Sequence, residues 1–445
     1  MKKVIAIALA GAIGLTGLIS TNLVWDDCPV LKVANWAEYI HPGDEEEGIQ
    51  PVIEQFEDWY YEKTKKRIRV EYCVADDNEI LYNMIKMGDH FDLICPSEYM
   101  LMKLAAENRI QKLPLAFHKV EIETNYYVQN LSPYIQGVLN NGKMKDGSKW
   151  SEYAAGYMWG TTGFVYNADK VKEEDVKTWN VFSNPDYNKK ITAKNNIRDT
   201  YFTGLAMYYE EELLKSKNEL SVAEYQSILP QKMNDTSEKT MNAVKNKLMQ
   251  MNKNIYGFET DEGKKDILEE KIYINYQWSG DATYIMYLAE EMNAALEEKD
   301  QLHLKYCIPE AVSNLWFDCW ALTKDCKNVE AATMFINFLS RPDIAALNMD
   351  YIGYTSCIAS DEVFDYVLDS YGDEEGTETY DLNYFFNTSA TKNNKYVFPI
   401  ADFTSQRLFA QYPNENDLTR CVTMEYFDSD ANSRANSMWS DITFF

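Results

Sequence analysis

From Leu31 onward the chain repeats one pattern, a short apolar run followed by a segment with apolar residues at helical spacing. LKVANWAEYI reads as a strand ending in a polar, aromatic loop, PVIEQFEDWYYEKTKK as a helix and RIRVEYCVA as a strand. NEILYNMIKMG then reads as a helix and FDLICPS as a buried strand stopped by proline. Strands alternating with helices call for parallel pairing with helices over the sheet faces, which makes the fold class α/β. The pattern continues through the helix YMLMKLAAENRI and the strand WGTTGFVYNADKV. It becomes mostly helical and charged between Thr200 and Lys271. KIYINYQW, the long helix DATYIMYLAEEMNAALEEKD, LHLKYCIPEAV, WFDCWALT and the helix VEAATMFINFLSRPDIAALNM close it. SYGDEEGTETYDLN reads as an acidic loop and the tail beyond it as helical pieces.

At 445 residues the chain exceeds what one core holds, because single cores stop growing near ~250 to 300 residues. Two lobes are expected, the first from 28–163 plus 316–445 and the second from 164–315, after an N-terminal segment 1–27. A formal net charge of -27 repels polyanions, so nucleic acid and anionic membrane surfaces are poor partners for the body of the protein. Cations are favoured.

Lys2 and Lys3 precede an uncharged run from Val4 to Trp25, the layout of an export signal or a retained anchor. At ~1.5 Å per residue the run is long enough to cross a ~30 Å hydrocarbon core. Leu15-Thr16-Gly17 resembles the start of a lipid-attachment box, but Leu18 stands where the cysteine belongs. An extracytoplasmic location, periplasmic or on the outer face of the cell membrane, is expected. Eight cysteines permit disulfides there without identifying pairs. His41, His90, His118 and His303 are scattered without ligand spacing, so no metal is expected.

In open parallel sheets ligands bind beyond the carboxyl ends of the strands. Here those ends pair rings with polar or acidic groups: Trp36, Glu38 and Tyr39; Ser97 and Tyr99; Trp278 and Asp281; Trp316 and Asp318; and Tyr354. If LWFDCW is a strand, Trp316, Asp318 and Trp320 share one face and Phe317 and Cys319 the other. Each carboxylate alone has a plain structural explanation, such as a helix first turn for Asp199 or Asp281. Together the set suits an alkyl chain bearing ammonium groups, with rings stacking on methylenes and attracting ammonium, and carboxylates holding the charged ends.

NWAEY, PSEYM, YMWGTTGFVYN, NPDYNKKI, WSGD, LWFDCW, INFLSRPDIA and IGYTS follow the order found in the spermidine/putrescine-binding proteins of bacterial polyamine ABC transporters, which this chain resembles from about Lys32 to Ser356. The resemblance implies a two-lobed periplasmic-binding-protein-like fold of type II, hinged to close over a polyamine. It implies an aromatic box of Trp36, Tyr39, Tyr99, Trp278, Trp316 and Tyr354, with Asp318 and Asp199 taking ammonium groups. It also implies delivery to a membrane permease driven by a separate ATPase, with no catalysis and no cofactor, from a monomeric protein. Asn196 departs from the family's acidic residue in D-x-x-E, which here reads N-I-R-D, and Asp281 in WSGD resembles the putrescine-preferring branch. Ala37 replaces a common hydroxyl residue. A sugar receptor of the same architecture is the rival for the rings, and a glycosidase with Asp281 and Asp318 as acid and base is the enzymatic alternative.

Overall fold

The longest strand organises the molecule. In the computed structural model, which describes residues 28–389, 391–401 and 404–443, the strand Ala154–Asn167 has all fourteen residues buried. A run without a polar face cannot lie at a sheet surface, and AAGYMWGTTGFVYN accordingly runs through the centre. Its first half pairs antiparallel with Ser313–Leu322, from Ala154 opposite Ala321 to Thr161 opposite Leu315. Its second half pairs with Ile274–Trp278, from Thr162 opposite Trp278, and with Leu304–Cys307.

In chain order the strands are β1 Val30–Asn35, β2 Arg69–Val74, β3 Leu93–Ile94, β4 Ala154–Asn167, β5 Ile191–Lys194, β6 Gly257–Glu259, β7 Ile274–Trp278, β8 Leu304–Cys307 and β9 Ser313–Leu322. Eight of these run β2-β1-β3-β9-β4-β7-β5-β6, and β8 pairs with β4 off this path. At one edge β1 pairs parallel with β2 and β3, and at the other β5 pairs parallel with β6 and β7. The α/β architecture expected from the sequence is present, with two parallel edges joined by the antiparallel crossing pair β4 and β9.

Local chemistry accounts for the element ends. Asp77 accepts from the Ile80 amide and caps the helix Asn78–Met87, which Gly88 ends at φ 103°. Ser221 and Glu224 form a capping box before Val222–Met233. The segment VEAATMFINFLSRPDIAALNM, expected as one helix, is two: Val329–Leu339 and Pro342–Ile352. Pro342 lacks the amide that a continuous helix needs and instead opens the second helix at its first position.

The acidic loop expected in SYGDEEGTETYDLN is in part a strand, Glu378–Asp381, paired antiparallel with Val397–Ile400. Beside it, Phe385 stacks on Trp159 of β4 at 5.6 Å, while Phe317 of β9 lies on the same indole at 6.4 Å. The tail, expected with the first lobe, reaches the helix Glu238–Asn254. Its last helix, Ser429–Thr443, packs on Glu238–Asn254, with Lys245 bonded to Asp441 and Trp439 edge-on to Phe258. The sequence 1–27, including the export signal or anchor, lies outside the described residues. Among the described residues no helix is long and apolar enough to cross a membrane. All eight cysteines are free thiols.

Candidate ligand site

Parallel strands from both edges end towards one region. β1 leads into Trp36–Tyr39, β3 into Pro96–Ser97, β5 ends at Lys194 and β7 at Trp278. β9 brings Trp316 and Asp318 between them, and its Cys319 amide donates to the Pro96 carbonyl, which fixes the Ser97 loop against the strand.

Asp318 is buried with 6% of its surface exposed. Tyr39 donates its hydroxyl to Oδ2 at 2.8 Å and Ser97 donates to Oδ1 at 2.6 Å. Asn78 orients Ser97 in turn, donating Nδ2 to its hydroxyl at 2.9 Å and accepting its amide at 3.0 Å. Burial pushes the Asp318 carboxyl up to about 6, against hydrogen bonds from Ser97, Tyr39 and Trp36 that pull it down. Among the described residues no ion pair reaches Asp318.

The rings follow the expected face. Trp316 lies 5.3 Å from Tyr354, which meets Tyr39 edge-on at 5.7 Å. Tyr39 meets Tyr157 at 5.6 Å, and Tyr157 donates to the Tyr39 carbonyl at 2.7 Å. Trp320 stands against Tyr157 at 5.1 Å, so one face of LWFDCW lines this cluster while Phe317 turns to the Trp159 side. Gly353, at φ 79°, ends the preceding helix and delivers Tyr354 onto Gly280, where a Cβ would fall 1.3 Å from the ring.

The second carboxylate group is built differently. Asp199 and Asp281 sit in the first turns of the helices Ile197–Glu219 and Ser279–Asn293, where the amide ends favour negative charge. Asp199 is buried, and burial pushes its carboxyl up to about 6 while Lys194, a hydrogen bond from Trp278, and Arg198 oppose the shift. Lys264 reaches Asp281 at 3.4 Å and Asp261 at 2.9 Å. Burial works against the Lys264 charge, but Asp281 and Asp261 outweigh it and raise its pKa. Lys194, only 1% exposed, lies 3.9 Å above the Trp278 ring.

Two expected residues have other duties. Asn196 caps the helix at Ile197, its side-chain oxygen accepting the Arg198 amide at 2.7 Å and the Asp199 amide at 3.4 Å. Glu38 is exposed, at φ 52°. Tyr99 is joined to the second group through Arg198, whose guanidinium lies 4.5 Å from its ring and 3.6 Å from that of Phe427. Glu79 accepts from the Tyr99 hydroxyl at 3.3 Å.

Lys194, Arg198, Lys264 and Glu79 carry no signal in the sequence, and Glu98, one of the strand-end carboxylates in PSEYM, has a structural duty. The Glu98 carboxyl is buried and accepts the amides of Phe317 and Met424, tying β9 to the C-terminal tail. Burial pushes it up to about 8 against those donors. The ring and carboxylate pairs at loop ends gave a signal for the others; a cation in a strand end gave none. Among the described residues no cluster of potential metal ligands occurs.

The chain is 27% identical over 348 residues to the spermidine/putrescine-binding periplasmic protein of Escherichia coli, covering 78% of this chain and 81% of that one. It is 27% identical over 360 residues to the putrescine-binding periplasmic protein SpuD of Pseudomonas aeruginosa, covering 79% and 83%. Among solved structures, the substrate-binding protein PotD of a spermidine/putrescine ABC transporter from Streptococcus pneumoniae shares the fold. Its TM-score is 0.60 at 22% identity, over 94% of this chain and 99% of that one. A putative spermidine/putrescine ABC transporter protein from Listeria monocytogenes superposes with a TM-score of 0.62 at 22% identity, over 93% and 98%. The family model of the bacterial extracellular solute-binding proteins matches residues 52–363, and the chain belongs to that family.

Proposed function

We propose that the protein is an extracytoplasmic receptor for a linear polyamine, putrescine or spermidine, which it delivers to an ABC-type importer. One observation carries the reading: Asp318 is a buried carboxylate held only by neutral donors, Tyr39 at 2.8 Å and Ser97 at 2.6 Å, beside the rings of Trp316 and Tyr354. A buried carboxylate of this kind is costly unless a cation meets it. An ammonium group supplies that charge, and the rings cover the methylenes attached to it. The names of the relatives support the same chemistry.

The two parallel edges of the sheet are the lobes, exchanging at Thr161 and Thr162 in β4 and near Leu315 at the start of β9. The ligand lies between them, and the closed form is what the permease reads. A sugar would use the rings but has no charge for Asp318. The glycosidase reading has no support in the relatives, which are named as binding proteins. The protein therefore binds without chemistry, as an exported component of an importer whose permease and ATPase are separate chains. Isothermal titration with putrescine, spermidine, cadaverine and maltose tests this. Binding of an amine is expected, and binding of maltose alone would overturn the reading.

A further inference from the structure

The site contains an ammonium group of its own. Lys194 is the last residue of β5, yet only 1% of it is exposed. Its Nζ donates to the Thr260 carbonyl at 2.8 Å and to Gln277 Oε1 at 2.6 Å, and lies 3.9 Å from Glu259 Oε1. It also stands over the Trp278 ring at 3.9 Å, the place an aromatic box offers to a ligand cation. Burial lowers its pKa, while Glu259, Asp281 and Asp199 hold it charged and Lys264 opposes them.

We propose that Lys194 is a resident cation that sets ligand size: it occupies the Trp278 face beside Asp199 and leaves Asp318 and Asp281 to hold the two ends of a linear diamine. The inference rests on the amine reading above and adds the substrate class. Asp199 and Asp281 both face a resident lysine, Lys194 acting on Asp199 through its charge and Lys264 pairing with Asp281. Asp281 shares Lys264 with Asp261, which is nearer to that lysine at 2.9 Å against 3.4 Å, so Lys264 keeps an acceptor when Asp281 meets a ligand. A triamine must bring a third ammonium against Lys194, and like charges at such distances repel.

Titration of putrescine and spermidine into the full chain, its Lys194→Met variant and its Lys194→Arg variant decides the matter. The unaltered protein is expected to bind putrescine more tightly than spermidine. Lys194→Met is expected to move the ratio of the two affinities at least tenfold towards spermidine, and Lys194→Arg, which keeps the charge, to leave the preference for putrescine. A merely structural lysine would weaken both amines together, so a folded Lys194→Met with an unchanged ratio overturns the inference while the amine reading stands. If that variant fails to fold, Lys194→Gln is read in the same way. Tighter binding of spermidine by the unaltered protein overturns the inference without any variant. Failure of the unaltered protein to bind either amine removes the underlying reading instead.

Discussion

The two carboxylate groups of the site differ in what balances them. Around Asp318 the partners are neutral: two hydroxyls at 2.6 and 2.8 Å and a set of rings. Around Asp199 and Asp281 the partners are Lys194, Lys264 and Arg198, each at least partly buried. The first group depends on a charge from outside, and the second carries its own. Counting acidic residues therefore overstates how many cations the site can take. What matters is which carboxylates the fold has left without a counter-charge.

The comparison breaks most directly at Asp318. Charge-assisted hydrogen bonds are worth roughly 1.5 to 3 kcal/mol, so Asp318→Asn is expected to weaken putrescine binding by about ten- to a hundredfold in a calorimetric titration. Unchanged affinity would remove Asp318 from the site. The next effect is steric. In Gly280→Ala the added Cβ falls 1.3 Å from the Tyr354 ring, which must leave the Trp316 face. Overpacking of this kind costs about 1 to 3 kcal/mol. A lower denaturant midpoint together with weaker amine binding is expected; a variant as stable as the parent would show that Tyr354 is loosely held.

Acidity sharpens the contrast further. The Asp318 carboxyl stands at about 6 in the folded chain, above its value of ~3.9 in an unfolded chain. Folding thus favours its protonated form. This group costs stability at neutral pH, and that cost is relieved as pH falls from about 6 towards 4. A bound ammonium favours the ionised form instead, so affinity is full above the folded pKa and declines as pH drops through it. Putrescine binding is expected to weaken about fivefold between pH 6 and pH 5, approaching the limiting tenfold per pH unit for one proton below that. Asp199 titrates in the same window, raised first by burial. Asp318→Asn should therefore flatten the profile if Asp318 is the group that meets the ligand, whereas an equally steep profile in that variant would assign the slope to Asp199.

Most of the frame was legible in the sequence because it depends on pattern. Alternation of strand and helix signals fixes parallel edges, and period two in LWFDCW puts Trp316 and Asp318 on one side and Phe317 on the other. The parts that escaped depend on tertiary burial. Asn196 stands where an acidic residue was expected to serve a ligand, but an Asn before a first helical turn is equally a cap, and the helix uses it so. Lys194 ends a strand too short to announce itself, and nothing local distinguishes a lysine folded over a tryptophan from one in water. The strand Glu378–Asp381 was hidden for a related reason: of its four residues only Tyr380 is buried, too weak an alternation to separate from an acidic loop.

The smallest expected effect probes the balanced group alone. Lys264 competes with any ligand cation for Asp281, yet its side chain is about one quarter exposed and it has a second partner in Asp261. Partly solvated pairs of this kind are worth a few tenths to about 1 kcal/mol. Lys264→Met should accordingly strengthen putrescine binding by two- to fivefold in the same titration. The direction carries the meaning, because removal of a cation beside Asp281 frees that carboxylate only if the ligand uses it. Weaker binding in Lys264→Met would mean that Lys264 holds Asp281 in place for the ligand, and the two groups would then differ in rigidity and not in charge balance.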